Sequence, residues 1–345
     1  MKLASFRLRR DEAEAGGASA GEGSAGTVAA RERVGVVVGD SLLALAPIAR
    51  AAMPALAAAL EGPDPMLGLL RAGPRALAGL EAAVGVALDR CGGPGAGLGG
   101  LDAFACSDVE WLAPVPRPGK IVAIGRNYAD HAAETGVAPF ERPRVIFKMP
   151  SAVVGHGAVV PIPPGVRKLD FEVELAVIIG ATARRVARDA ALAHVAGYTV
   201  LDDLTDREVQ FDLKPGQTSF AKSMDGFAPM GPSLVTTADI PDPQRLGLTT
   251  EVNGHLMQQA NTASMLFPVA VLIEYISTYI TLEPGDVIAT GTPAGIGAFR
   301  DPPVWLNPGD RISMTIDAIG RLEHTIGDRR DQPARRPPPA ATADL

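Results

Sequence analysis

The stretch DFEVELAVII, residues 170–179, decides how the whole chain is interpreted. Acidic and apolar residues alternate in its first half, which predicts a β-strand. Because residues i and i+2 of a strand project to the same face, Glu172 and Glu174 lie side by side. The second half is apolar on both faces, so the strand enters a core, where unpaired carboxylates are costly. A hard cation with oxygen ligands (Mg²⁺, Mn²⁺ or Ca²⁺) would keep both glutamates ionised; a solvent-facing polar stripe is the alternative.

A third acidic position follows a second apolar strand. The segment VAGYTVLDD, residues 195–203, is apolar until it ends in Asp202 and Asp203. Side chains at a strand end are well placed to reach a site, although either aspartate could instead cap a helix that starts near Leu204. The pattern leaves both interpretations open.

A histidine and a glutamate form another candidate feature. The segment GRNYADHAAE, residues 125–134, follows the predicted strand KIVAIG, 120–125. If the residues after Asn127 are helical, His131 and Glu134 are three apart and face each other. A carboxylate beside an imidazole fixes its tautomer and raises its basicity, as a base that activates water requires. A surface pair without function is the alternative.

Two segments are candidates for holding a substrate. Lys222 lies among small and apolar residues in SFAKS, 219–223, and TGTPAG, 290–295, is a glycine-rich turn. The backbone amides of such a turn could hold a carboxylate. Both features are common in proteins, so each gains weight only as part of a set.

The composition excludes several classes of protein. The 345 residues are 47% hydrophobic, with 38 Gly and 30 Pro at no fixed period, which excludes collagen and coiled coil, and the net charge of −7 argues against a nucleic-acid partner. No apolar run reaches about 18 residues and the start lacks the apolar core of a signal peptide, so we expect no membrane partner. Cys91 and Cys106 lack CxxC or His-spaced partners, and we therefore expect no disulfide, no zinc and a cytoplasmic location.

The sequence pattern of the chain changes near residue 115. Residues 1–115 predict a small N-terminal α/β domain with a β-hairpin at Gly39-Asp40 and a Gly/Pro-rich linker. We expect a second, larger domain at residues 116–326 and a disordered tail at residues 327–345. We expect strands at 120–125, 145–149, 171–180, 195–202, 248–254, 286–291 and 311–316, and helices at 47–60, 64–89, 187–194 and 264–280. This pattern predicts a mixed α+β fold with β in excess.

Taken in order along the chain, the motifs resemble those of the fumarylacetoacetate hydrolase (FAH) family. They are GRNYADHAAE (125–134), DFEVELAVIIG (170–180), VAGYTVLDDLTDREVQ (195–210), KSMDGFAPMGP (222–232), VNGHLMQQANTASMLF (252–267) and TLEPGDVIATGTPAGIG (281–297). The resemblance implies a mixed β-roll or sandwich of the FAH type. It also implies a pocket that holds one divalent cation, Mg²⁺ or Mn²⁺, with Ca²⁺ as a further option.

The resemblance further implies a role for each site residue. The metal ligands would be Glu172, Glu174 and Asp203, the catalytic residues His131, Glu134 and Lys222, and the substrate-binding residues Arg126, Tyr128, Arg207, Gln210 and Thr292. Where the family commonly has NDVSARD, this chain has DDLTDRE at 202–208. The departure adds acids near the metal and makes Asp202 a competing ligand.

The activity that the resemblance implies is hydrolysis of a C–C bond in a β-dicarbonyl or 2-oxo acid, by way of an enolate that the cation stabilises. Decarboxylation, or enol–keto or double-bond isomerisation, of a 2-oxo acid at the same site is the alternative. A protein that binds an oxo acid without turning it over is a third interpretation. The implied partners are a small oxo acid and a second copy of the chain in a homodimer.

Overall fold

The computed structural model describes residues 1–9, 31–91, 100–134, 136 and 140–329. The strands are β1 (Lys2–Leu8), β2 (Arg33–Val38), β3 (Ser41–Ala44), β4 (Ala103–Ala105), β5 (Val109–Trp111), β6 (Ile121–Gly125), β7 (Arg144–Lys148), β8 (Val153–Val154), β9 (Val159–Ile162), β10 (Leu169–Asp170), β11 (Val173–Ile179), β12 (Val195–Asp202), β13 (Thr205–Asp206), β14 (Ala228–Thr236), β15 (Gly247–Val252), β16 (His255–Asn261), β17 (Val287–Ala289), β18 (Arg311–Ile316) and β19 (Gly320–Arg329). The α-helices are α1 (Leu45–Ala52), α2 (Pro54–Leu60), α3 (Pro65–Arg71), α4 (Pro74–Arg90), α5 (Ala129–Glu134), α6 (Thr218–Ala221) and α7 (Val269–Tyr279). Strands predominate, which confirms the predicted α+β fold.

The strands form one large sheet and two smaller ones. The twelve-stranded sheet has the order β4-β3-β2-β1-β14-β12-β11-β17-β6-β7, with β5 beside β1 and β8 beside β14. A five-stranded sheet has the order β16-β15-β18-β19-β9, and β10 pairs with β13. In the large sheet β11 runs antiparallel to β12, with Val173 opposite Asp202 and Glu174 opposite Leu201. This register brings the acidic start of β11 beside the acidic end of β12.

Strand β11 is buried along its whole length because apolar layers cover both faces of the sheet. Val173 and Leu175 belong to the larger core cluster, whereas Ala176 and Ile178, on the opposite face, belong to a second cluster to which helices α1–α4 contribute. Glu174 has the same parity as Ala176 and Ile178. The apolar run seen in the sequence therefore reflects a strand with a core on each side, and the acids lie at the edge of one core.

The leading segment is joined to the rest of the chain through the large sheet. Strand β1 pairs antiparallel with β14, Leu3 opposite Leu234, and on its other side with β2. Strands β2 and β3 form the predicted hairpin, in which Gly39, with φ of +56°, and Asp40 make the two-residue turn. The sheet thus runs without interruption across the domain boundary expected at residue 115, which stays a prediction.

Two predicted helices are shorter in the structure. The helix predicted at 187–194 is reduced to a 3₁₀ turn over Ala191–His194. The carbonyl of His194 accepts a hydrogen bond from the amide of Gly180 at 2.8 Å and β12 begins at the next residue, so the backbone is committed to the sheet. The helix predicted from residue 264 begins only at Val269 because Pro268 is extended, with ψ of 157°.

The end of the chain also departs from the prediction. Strand β19 continues into the predicted tail as far as Arg329, because Arg329 pairs with Ile162 of β9 and its guanidinium donates to the carbonyl of Val166. The remaining tail residues, 330–345, and residues 92–99 of the predicted linker lie outside the described part of the chain.

The helices and the two cysteines concern the expectations about a membrane partner and a disulfide. In the described ranges, no helix combines the length and the apolar character that crossing a membrane requires. Cys91 and Cys106 are not joined to each other in a disulfide.

Strand β1 provides a test of how the leading segment contributes to stability. Leu3→Ala removes a fully buried side chain from the second core cluster and should lower the free energy of unfolding by about 2–5 kcal/mol, as measured by urea unfolding. Val86→Ala, at a position on α4 that is 51% exposed, is the control and should change it by less than about 0.5 kcal/mol. Equal effects of the two variants would show that β1 unfolds separately from the main core.

Candidate active site

Three carboxylates meet where β11 begins and β12 ends. Glu172 immediately precedes β11, Glu174 lies within it and Asp203 directly follows β12. One oxygen of each side chain lies within 4.8 Å of the other two, and none of the three residues is more than 6% exposed. The amide of Asp203 also donates to the carbonyl of Glu172 at 3.0 Å, which ties the two segments together. Two adjacent strands therefore bring three acids to one point.

Two buried lysines compensate part of this charge. Lys222 Nζ donates to Glu172 Oε2 at 2.9 Å and to Asp203 Oδ2 at 2.7 Å, and Lys148 Nζ donates to Asp203 Oδ1 at 2.6 Å. Burial favours the neutral amine, and it lowers the pKa of Lys148. For Lys222 the carboxylates of Asp203 and Glu172 outweigh burial and raise the pKa, so this ammonium stays charged.

Arg207 connects the acids to the chain that follows β13. Its Nη2 donates to Glu172 Oε1 at 2.6 Å, its Nε to Asp170 Oδ2 at 2.8 Å and its Nη1 to Gln210 Oε1 at 2.8 Å. Burial opposes the ionisation of Glu172, but Lys222 and Arg207 outweigh it and lower the pKa of this carboxyl. Glu172 is therefore ionised, and each of its two carboxylate oxygens accepts a hydrogen bond.

Glu174 is the least compensated of the three acids. Its Oε2 accepts the backbone amide of Gly291 at 2.8 Å, and no lysine or arginine in the described part of the chain forms an ion pair with it. Burial, followed by the nearby carboxylates of Asp203 and Glu172, raises its pKa well above the usual range. A divalent cation among the three acids would favour the ionised form. Such a set of hard oxygen donors fits Mg²⁺, Mn²⁺ or Ca²⁺ better than zinc or copper.

His131 and Glu134 lie on α5 and face each other, as the spacing predicts. His131 Nδ1 is 3.1 Å from Glu134 Oε2, and Glu134 Oε1 accepts the amide of Gly295 at 3.1 Å. The imidazole, 8% exposed, lies beside Phe299 with ring centroids 6.1 Å apart. Because Nδ1 is directed to Glu134, Nε2 is the ring nitrogen left for a ligand.

One cleft unites most of the predicted site residues. It is lined by Glu172, Glu174, Asp203, His131, Lys222, Arg126, Arg207, Gln210 and Thr292. Tyr128 is not brought to it: its ring is fully buried in the larger core cluster, and its hydroxyl has no hydrogen-bond partner among the described residues. Burial raises the pKa of Tyr128, so the phenol stays neutral. Glu134 does not line the cleft, and it is linked to the cleft through its contact with His131.

Thr292 is oriented by Gln258, which the sequence does not single out. Gln258 Nε2 donates to Thr292 Oγ1 at 2.9 Å, while Gln258 Oε1 accepts the amide of Val173 at 3.1 Å and the hydroxyl of Thr250 at 2.9 Å. Because the oxygen of Thr292 already accepts a hydrogen bond, its hydroxyl hydrogen is free to donate into the cleft.

Asp202, the competing acid, turns away from the cluster. Its Oδ2 lies 2.8 Å from His324 Nε2, and its Oδ1 accepts the amide of Glu172 at 2.9 Å. Both side chains of this pair are completely buried. The structure thus groups Asp203 with the two glutamates. Asp202 instead holds the backbone of Glu172 by accepting its amide hydrogen bond.

Sequence reasoning missed four residues of the site: Lys148, Arg144, Asp170 and Gln258. A signal existed for the first two, because the segment RVIFK, 144–148, alternates so that Arg144, Ile146 and Lys148 share one face. A lysine on the inner face of an apolar strand indicates a buried partner. Asp170 accepts hydrogen bonds from Arg207 and from the amide of Gly297, and Gln258 contacts the amide of Val173 and the hydroxyl of Thr292. Most of these partners are far away in the sequence, so no spacing of side chains indicates them.

Three carboxylates that could hold a hard cation, beside a paired histidine and glutamate, are an arrangement typical of metal-dependent enzymes. The family model described as fumarylacetoacetate (FAA) hydrolase C-terminal matches residues 120–327. The chain belongs to this family.

Individual relatives are enzymes with different reactions. A mitochondrial oxaloacetate tautomerase from Bos taurus is 44% identical over 220 residues, which are 64% of this chain and 70% of the relative. The oxaloacetate tautomerase YisK of Bacillus subtilis (strain 168) is 45% identical over 228 residues, 65% of this chain and 75% of the relative. The crystal structure of maleylpyruvate hydrolase from Sphingobium sp. SYK-6 in complex with manganese(II) ion and pyruvate matches with a TM-score of 0.70 at 30% identity, covering 96% of this chain and 100% of that chain.

Glu174 offers a direct test of the cation site. Glu174→Gln keeps the shape of the side chain and removes its charge, and it should weaken Mn²⁺ binding by about 10-fold or more in isothermal titration calorimetry. Glu323→Gln, at a carboxylate on β19 that is 44% exposed, is the matched control and should bind Mn²⁺ like the wild type. Unchanged affinity of Glu174→Gln would remove this residue from the ligand set.

Proposed function

We propose that the protein is a divalent-metal-dependent enzyme that acts on a 2-oxo acid through its enolate form. The observation that carries the proposal is the convergence of Glu172, Glu174 and Asp203 in one buried cleft with the His131–Glu134 pair. The three acids would hold the cation. When bound, it would act as a Lewis acid that stabilises the negative charge developing on the oxygen of the oxo acid.

Three residues around the acids have separate roles in binding the substrate and in holding the site together. Thr292 donates its free hydroxyl hydrogen to the substrate carboxylate. Lys222 stays an ammonium because its pKa is raised, and it therefore stabilises charge rather than accepting protons. Arg207 holds Glu172 through an ion pair and is a positioning residue.

His131 is the group that moves protons. Hydrogen bonding of Nδ1–H to Glu134 fixes the tautomer in which Nε2 carries a free lone pair, which is what a general base needs. Nε2 can take a proton from C3 of the oxo acid and return it to the enol oxygen, or take a proton from water. The same pair therefore serves tautomerisation and hydrolysis.

Enol–keto tautomerisation of an oxaloacetate-like acid is the reaction that we propose first. It is supported by identities of 44% over 220 residues and 45% over 228 residues to two oxaloacetate tautomerases. Hydrolysis of a C–C bond is the second candidate, because the orientation of His131 by Glu134 suits the activation of water.

Two assays on the purified protein with Mg²⁺ or Mn²⁺ separate these reactions. Tautomerisation predicts that the enol absorbance of oxaloacetate disappears faster than in buffer, with no carbon–carbon cleavage. Hydrolysis predicts that ¹⁸O from solvent enters a carboxylate product of an acylpyruvate. If neither substrate is turned over with either metal, the proposed function is wrong.

His131→Ala tests the assigned base. The variant should lower kcat by about 10²–10⁴-fold, the usual contribution of a positioned base, while its affinity for Mn²⁺ stays that of the wild type. His255→Ala, at an exposed position on β16, is the control and should keep full activity. Wild-type turnover of His131→Ala would assign the proton transfer to another group.

A further inference from the structure

Two arginines line the cleft without taking part in the buried acid network. Arg126 directly follows β6 and Arg144 is the first residue of β7. Their guanidinium carbons lie 5.6 and 6.0 Å from the ring centroid of Phe140. The two cations therefore share one aromatic ring, which provides a flat apolar support for both.

Neither arginine has a counterion in the part of the chain that the structure describes. Among the residues that the structure describes, no carboxylate forms an ion pair or a hydrogen bond with Arg126 or Arg144, whereas Arg207 in the same cleft has ion pairs to two acids. Burial, followed by the charge of Arg144, lowers the pKa of Arg126. An anion between the two guanidinium groups would relieve their repulsion and satisfy their donors.

The backbone around Arg126 is held in an unusual conformation. Arg126 has φ of +56°, a left-handed value that is uncommon for a residue other than glycine and that recurs at functional sites. The next residue, Asn127, fixes this conformation: its Nδ2 donates to the carbonyl of Thr290 at 2.8 Å, and its Oδ1 accepts the amide of Phe267 at 2.9 Å. The position of Arg126 is therefore fixed by the fold.

Arg144 reaches the cleft because its strand neighbour has no side chain. Gly125 of β6 is the register partner of Arg144. A Cβ at Gly125 would lie 3.0 Å from Ile146 Cδ1 and 3.4 Å from Arg144 Cδ. The arginine side chain thus lies over the glycine, toward the end of β6 where Arg126 stands.

We infer that Arg126 and Arg144 together bind the second carboxylate of the oxaloacetate-like substrate. The inference rests on the proposed function, which orients the 2-oxo end toward the three acids. Arg144 and Lys148 are four residues apart on β7, about 13 Å along the strand, and Lys148 contacts Asp203. The arginine pair, Arg126 with Arg144, thus recognises the end of the substrate remote from the cation site. Guanidinium groups suit this task because their planar donors match a carboxylate.

The test compares two acids that differ only at the remote end. 2-Oxoglutarate and 2-oxopentanoate have the same chain length and the same 2-oxo carboxylate, but only the first has a second carboxylate. Their affinities for the full-length protein with Mn²⁺ are measured by isothermal titration calorimetry, which requires no turnover. Wild-type protein should bind 2-oxoglutarate about 10-fold or more tightly than 2-oxopentanoate, because hydrogen bonds between charged groups are strong.

Arg144→Met should reduce this preference to less than about 2-fold by weakening 2-oxoglutarate alone. The matched control is Arg142→Met, an exposed arginine two positions earlier that does not line the cleft, and it should keep the wild-type preference. A wild-type protein without preference, including one that binds neither acid, or a preference that survives in Arg144→Met, would overturn the assignment. Turnover of oxaloacetate and of an acylpyruvate is scored separately. A preference without turnover of either substrate would contradict the proposed function alone, and turnover without a preference would contradict the arginine pair alone.

Discussion

The arrangement of the whole site follows from the burial of three carboxylates at one point. Ionised acids in a protein interior repel one another and lose their hydration, so each needs a compensating charge or hydrogen bond. Glu172 and Asp203 obtain theirs from Lys222, Lys148 and Arg207. Glu174 has only a backbone amide within the described residues, and its raised pKa is the physical sign of that deficit. The deficit is what a divalent cation would correct.

The fold meets this constraint by bringing distant segments to one edge of the core. The antiparallel pairing of β11 with β12 places the acids, and β7 and the segment after α6 supply the lysines. The turn after β17 contributes Gly291 and Thr292, and α5 carries His131 over the acids. Because the large sheet continues through β1 into the leading segment, the packing behind the site includes residues far outside the part of the chain that the family model matches.

Sequence patterns predict those parts of the molecule that follow from periodicity. Alternation in residues 170–179 predicts the strand and the shared face of Glu172 and Glu174, and helical spacing predicts the contact between His131 and Glu134; the structure shows both. Pairing between strands far apart in sequence, such as β1 with β14, leaves no comparable local signal. The position of Tyr128 could not be predicted either. A tyrosine in a motif can expose its hydroxyl to a cleft or bury it in the core, and only the tertiary fold determines which.

Under the proposed function, Glu172, Glu174 and Asp203 together bind one divalent cation. A crystal structure of the protein grown with Mn²⁺, with anomalous diffraction data collected near the manganese absorption edge, measures this directly. We expect one strong anomalous peak in the cleft, within coordination distance of a carboxylate oxygen from each of the three residues. A fully ordered cleft without a peak there, or a peak that excludes one of the three acids, would contradict it.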